Sequence, residues 1–70
     1  MTLSQRKRAY EGREATFMGF DGKFYIATVK AVHPRGIELE YPVTLASGAT
    51  RVCTAHLLTK DAKQRVIIQL

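Results

Sequence analysis

One cysteine, Cys53, has no partner for an internal disulfide, so this chain of 70 residues lacks the commonest staple of very small domains. Metal ligands are nearly as scarce. Beside Cys53 stand two histidines, His33 and His56, and six carboxylates, with no CxxC and no HxxxH spacing, so neither a metal nor a cofactor is expected. Tryptophan is absent, and proline occurs twice, at Pro34 and Pro42. No apolar run approaches the roughly 18 residues that span a bilayer, which excludes a membrane-spanning helix and leaves no membrane partner expected. The charged N-terminal segment is followed by no apolar stretch and is not expected to be a signal peptide. With a lone thiol, the expected compartment is the cytoplasm. A glycine-rich phosphate loop, a GxSxG elbow and paired catalytic carboxylates are all missing. Cys53 and His56, three apart on a strand, face opposite sides and do not form a nucleophile–base pair. Cys53 reads as a small buried hydrophobe and His56 as the closing residue of a strand. The chain is expected to be non-enzymatic, with no catalytic residue.

What the chain does have is the composition of a folded domain, 46% apolar and 24% charged, with a net charge of +5. Its length allows one domain, which would bury only about 60% of its unfolded surface. With disulfide and metal excluded, self-association is the remaining route to stability. The charge is uneven. Arg6, Lys7, Arg8 and Arg13 lie in the first thirteen residues, opposed only by Glu11. Such a segment suits a polyanion. Thr2-Leu3-Ser4-Gln5 has the form of a capping box and predicts a short helix over 3–10, stopped at Gly12. Leu3, Ala9 or Tyr10 would dock it on the rest of the chain. Residues 1–13 are therefore read as a basic arm and 14–70 as the body.

The body reads as short strands. Residues 14–20 suit a strand, and Asp21-Gly22 predicts a two-residue type I′ hairpin. Residues 23–32 form the longest expected strand, apolar on both parities: Phe24 and Ile26 on one, Tyr25, Ala27, Val29 and Ala31 on the other. A strand of that kind is buried on both sides or strongly bent. His33-Pro34-Arg35-Gly36 is a turn in which Gly36 can take positive φ. In 37–41, Ile37, Leu39 and Tyr41 alternate with Glu38 and Glu40, a negative face that nucleic acid should avoid. Pro42 ends that strand or marks an edge. Ala46-Ser47-Gly48 is a further turn, and 55–63 make one helical turn or a loop. RVIIQL, with Val66, Ile68 and Leu70 on one face, is a last strand with little charge to blunt its edge. The fold class expected is all-β: a small, strongly bent five- or six-stranded barrel behind a short N-terminal helix.

The expected nucleic-acid-binding residues are Arg6, Lys7, Arg8 and Arg13 on phosphates, extended by Lys23, Arg35 and Arg51 on the body. Phe20 and Tyr25 flank the Asp21-Gly22 turn, point away from the Phe17 and Phe24 sets, and are the rings expected to stack on a base. Phe17, Phe24, Tyr10 and Tyr41 are expected in the core.

The stretch from Glu14 to Tyr41 resembles the first half of an Sm-like barrel of the Hfq type: strand, DG turn, long bent strand, then an I-x-L strand, behind a short helix. Val52-Cys53-Thr54-Ala55-His56-Leu57-Leu58 is similar to the second Sm motif, with its His near a tight turn before the last strand. That resemblance implies a ring-forming RNA-binding protein, a regulator of gene expression, whose last strand (65–70 here) pairs with the neighbouring subunit to give a homo-oligomer. The long segment Pro42–Arg51 departs from the family. A second resemblance is to a PilZ-like barrel, carried by a basic arm and by Gly36 in Ala31-Val32-His33-Pro34-Arg35-Gly36. Ala31 and His33 replace the Asp and Ser of that motif, so this resemblance implies a degenerate domain without cyclic di-guanylate binding, acting as a protein–protein adaptor. Nucleic acid, RNA before DNA, is the first expected partner and a protein the alternative.

Overall fold

The structure, a computed structural model, describes residues 2–69. Helix α1 (Leu3–Tyr10) precedes strands β1 (Glu14–Met18), β2 (Phe24–His33), β3 (Gly36–Thr44) and β4 (Thr50–Leu58); helix α2 (Thr59–Arg65) and strand β5 (Val66–Ile68) follow. The five strands form one antiparallel sheet in the order β4-β3-β2-β1-β5.

The expected barrel is corrected to an open sheet. Among the described residues no ladder joins β4 to β5, so each is an edge. The physical reason lies in residues 59–65. They coil instead of extending, which leaves only three residues of β5 to pair with β1 through Ala15↔Ile68, Thr16↔Ile67 and Phe17↔Val66. Helix α2 carries Asp61 in its first turn and Lys63 and Arg65 in its last, charges that complement the helix dipole. Arg65 therefore belongs to this helix rather than to the terminal strand, and Leu70 lies outside the described residues.

One face of the sheet holds the core: Ala15, Phe17, Ala27, Val29, Val32, Ile37, Leu39 and Leu57. Leu3 and Tyr10 from α1, Ala62 from α2, and Val66 and Ile68 from β5 pack against it. The two helices cover the apolar face that a closed barrel would cover with strands. The opposite face is open. Phe24, Ile26 and Ile67 are 71%, 60% and 69% exposed, so β2 is not buried on both sides. Its two apolar parities have different fates, one in the core and one in solvent.

Local geometry follows the sequence closely in places. Thr2 caps α1 through its hydroxyl, which accepts from the Gln5 amide at 3.2 Å, while the Gln5 side chain accepts from the Thr2 amide at 2.9 Å. The β1–β2 connection is a three-residue loop, not a type I′ turn: Gly22 N–H donates to the Gly19 carbonyl at 3.0 Å, and Gly19 N–H donates to Lys23 at 2.8 Å. Only Gly22 has positive φ, at 82°, as a type I turn followed by a left-handed residue requires. The β3–β4 hairpin repeats the same pattern at Leu45–Ala49. A bulge at Lys30 shifts the β2–β3 register between Val29↔Leu39 and Ala31↔Glu38 and sharpens the bend of β2.

Pro42 lies inside β3, opposite Val52. Leu45 N–H donates to the Ala49 carbonyl, so by alternation the odd residues of β3 bond to β4 and the even ones turn toward β2. The β2–β3 register stops at Thr28↔Glu40. The missing N–H of Pro42 therefore falls where no partner strand remains. Beyond that point β3 and β4 project as a two-stranded arm, and the molecule measures 43 × 20 × 18 Å.

Candidate nucleic-acid interface

A cleft of about 340 Å³ opens beside the β1–β2 loop, lined by Phe17, Gly19, Phe20, Asp21, Tyr25, Tyr41, Thr54, Ala55 and His56. Its apolar wall is a ring cluster. Tyr25 and Tyr41 have centroids 4.8 Å apart, and Phe17 lies 5.3 Å from Tyr41 and 6.4 Å from Tyr25. Tyr25 is directly cross-strand from Phe17, so the expectation that it points away from Phe17 is corrected: a two-residue periodicity places both on the core face. The exposed ring of this region besides Phe20 is Phe24, which the sequence reading placed in the core.

Phe20 itself is 72% exposed. The guanidinium of Arg65 sits 4.3 Å from its ring centroid and is pinned by donating to the carbonyls of Met18 at 3.3 Å and Gly19 at 3.2 Å. This cation–aromatic pair is the feature that sequence reading missed. Arg65 and Met18 are 47 positions apart along the chain, and no local pattern links them.

The polar element of the cleft is Asp21. Its Oδ2 accepts from the Tyr25 hydroxyl and its Oδ1 from the Lys23 amide at 2.9 Å. The Tyr25 bond first, and the Lys23 amide second, hold the Asp21 carboxyl below its ordinary value. The same bond to Asp21, with some burial, pushes the Tyr25 phenol up to about 12.

The other expected contacts are distributed rather than gathered. Phe20 and Tyr25 line the same cleft, with Lys23 in the adjoining loop. Helix α1 meets β2 at the far end: Gly12 N–H donates to Val29 at 2.8 Å, and the Val32 amide donates to Glu11 Oε2 at 2.8 Å. From Tyr25 to Val32 is about 23 Å at roughly 3.3 Å per strand residue. Within the arm, Lys7 pairs with Glu11 at 3.1 Å, and Arg13 Nε donates back to the Ala9 carbonyl at 3.3 Å. Arg8 is exposed, and Arg6 borders a separate groove of about 250 Å³ with Tyr10 and Lys63. Arg35 lies at the β2–β3 turn beside His33 and His56, and Arg51 stands exposed on the projecting arm.

The face of Glu38 and Glu40 is not the plain negative surface expected. Lys30 Nζ lies 3.4 Å from Glu38 and 3.2 Å from Glu40, while His33 and His56 approach Glu38 Oε1 at 3.5 and 3.7 Å. Burial pushes the Glu38 carboxyl up, but its hydrogen bonds to His33 and Lys30 outweigh that and hold it below its ordinary value. His56 thus sits within β4 opposite Glu38, not at a strand end, and Cys53 is half-buried. Among the described residues no group of three or more His, Cys, Asp or Glu is arranged to hold a metal, and no helix is long and apolar enough to cross a membrane.

Comparison with protein families, with curated proteins and with solved structures gave no match.

Proposed function

We propose that this protein is a non-enzymatic binder of single-stranded nucleic acid that holds an unpaired base at the aromatic cleft. The observation that carries this reading is the Phe20–Arg65 pair at the cleft mouth: an exposed ring with a guanidinium fixed against it, beside two half-buried tyrosines. Single strands are held by stacking on such rings, at about 1–3 kcal/mol per base, with arginine adding cation–π attraction. The net charge of +5 supplies the salt-sensitive part of the affinity. RNA is preferred over DNA on the strength of the Sm-like resemblance, which the helix, the open β5 edge and the free β4 edge also support. In that reading β5 of one copy pairs with β4 of the next. A head-to-tail contact of this kind closes into a ring when its rotation permits.

The test is anisotropy of a labelled mixed-sequence RNA at low and physiological salt. Binding should fall steeply with salt. Phe20→Ala and Arg65→Ala should each weaken it severalfold, and Arg6→Ala with Arg8→Ala should weaken it only for strands longer than the roughly 23 Å between cleft and arm. Affinity that is flat with salt, or untouched by Phe20→Ala, would sink the proposal.

A second reading, a protein-binding adaptor, rests on the exposed strip of Phe24, Ile26 and Ile67 and on the two open strand edges. It predicts a protein partner lost on truncation of residues 64–70 and no response to RNA.

A further inference from the structure

We infer that the aromatic cleft selects guanine, with the Asp21 carboxylate accepting the paired N1–H and N2–H donors of an unpaired base lying against Tyr25 and Tyr41. This rests on the reading of the cleft as a nucleic-acid site and names the base that it takes.

Asp21 is the single carboxylate among the residues that line the cleft, and its setting is rigid. Oδ1 already accepts the Lys23 amide and Oδ2 the Tyr25 hydroxyl. Each carboxylate oxygen has two acceptor positions, so one position remains on each. Gly19 keeps this wall open. A Cβ there would lie 2.8 Å from Asp21 Oδ1 and 2.9 Å from the Tyr25 ring, so any side chain at this position displaces one or the other. The cleft, at about 340 Å³, leaves room for a nucleobase.

A fixed pair of acceptors distinguishes the four bases. Guanine alone presents two adjacent N–H donors on its Watson–Crick edge. Adenine and cytosine offer an amino group beside a ring-nitrogen lone pair, and uracil offers one N–H between two carbonyls. With any of these three, the second carboxylate oxygen faces an acceptor instead of a donor. Paired bonds to an ionised acceptor are also stronger and more selective than a single one.

The experiment compares labelled uridine pentamers carrying a central guanosine, inosine or adenosine, by anisotropy at low salt. Guanosine is expected to bind about tenfold more tightly than adenosine. Inosine, which keeps N1–H and lacks the 2-amino group, should fall between. Asp21→Asn should abolish the preference, bringing guanosine and adenosine to equal affinity. The inosine comparison needs no variant, so it stands even if Asp21→Asn disturbs the loop. Equal affinity for the three pentamers overturns the guanine inference and leaves the nucleic-acid reading intact. No binding of any pentamer overturns both.

Discussion

Gly36 is required by contact, not by conformation. Its φ lies outside the left-handed region that the turn HPRG was expected to use; only Gly12, Gly22 and Gly48 among the described residues have positive φ. A Cβ at Gly36 would stand 2.1 Å from the carbonyl oxygen of Leu57, in the backbone of the neighbouring strand. Gly36→Ala is therefore expected to destabilise the fold by about 1–3 kcal/mol, as overpacking does, read from urea denaturation. Tyr25 gives a second check at this scale. Absorbance near 295 nm should show one tyrosine ionising near pH 12 and should show that step move down in Asp21→Asn. A raised phenol pKa means that the Tyr25–Asp21 bond supports the fold below pH 10 and loses its contribution as pH climbs toward 12. The carboxylates run the other way. Glu11, Asp21 and Glu38 are held below their ordinary values, so their support is present above about pH 4.5 and is lost as acid carries them through their folded pKa.

At its C-terminal end helix α1 is tied to β2 by the Glu11 side chain, beside the packing of Tyr10 and the Gly12 N–H bond to Val29. Glu11 accepts the Val32 amide and pairs with Lys7, the amide being the larger influence on its carboxyl. Glu11→Ala should speed hydrogen exchange at Val32 and along α1 while leaving the β1–β2 and β3–β4 ladders protected. Equal protection across the sheet and helix would show that Leu3 and Tyr10 suffice to dock it. The start of α1 was legible in the sequence because a capping box is a matter of four consecutive residues. The alternation of Ile37, Leu39 and Tyr41 against Glu38 and Glu40 was legible for the same reason: period two needs only neighbours. The other features depended on distant residues. Nothing near Lys30 announces a bulge, nothing near Thr59 says that the chain coils there and leaves the sheet open, and the Asp21-Gly22 pair fits both a two-residue and a three-residue hairpin until Gly19 is seen to close it. The candidate site divided in the same way. Phe20 was found from its place beside a turn, whereas Arg65 reaches it only through the β1–β5 pairing.

The whole molecule has two unequal edges, nine residues of β4 and three of β5. Because the odd residues of β4 bond to β3, the even ones, Val52, Thr54 and His56, turn their backbone groups outward. Val52→Pro removes an outward N–H and leaves the β3 ladder untouched, a substitution that edge strands accept. If copies associate by adding strands to β4, light scattering should show wild-type oligomers and a Val52→Pro monomer at the same concentration. Oligomers that survive the proline would move the contact to the exposed strip of Phe24, Ile26 and Ile67. The strand order also carries a kinetic consequence. The β1–β2, β2–β3 and β3–β4 ladders each join neighbours in the chain and close short loops. The β1–β5 ladder alone joins segments about fifty residues apart, and its loop-closure entropy must be met before any contact rewards it. The meander is thus expected to nucleate first and β5 to dock last, so that Ile68→Val speeds unfolding far more than it slows folding. Arg65 immediately precedes β5, so a nascent chain acquires its stacking platform and its second edge in the same final step, after the rest of the sheet is already in place.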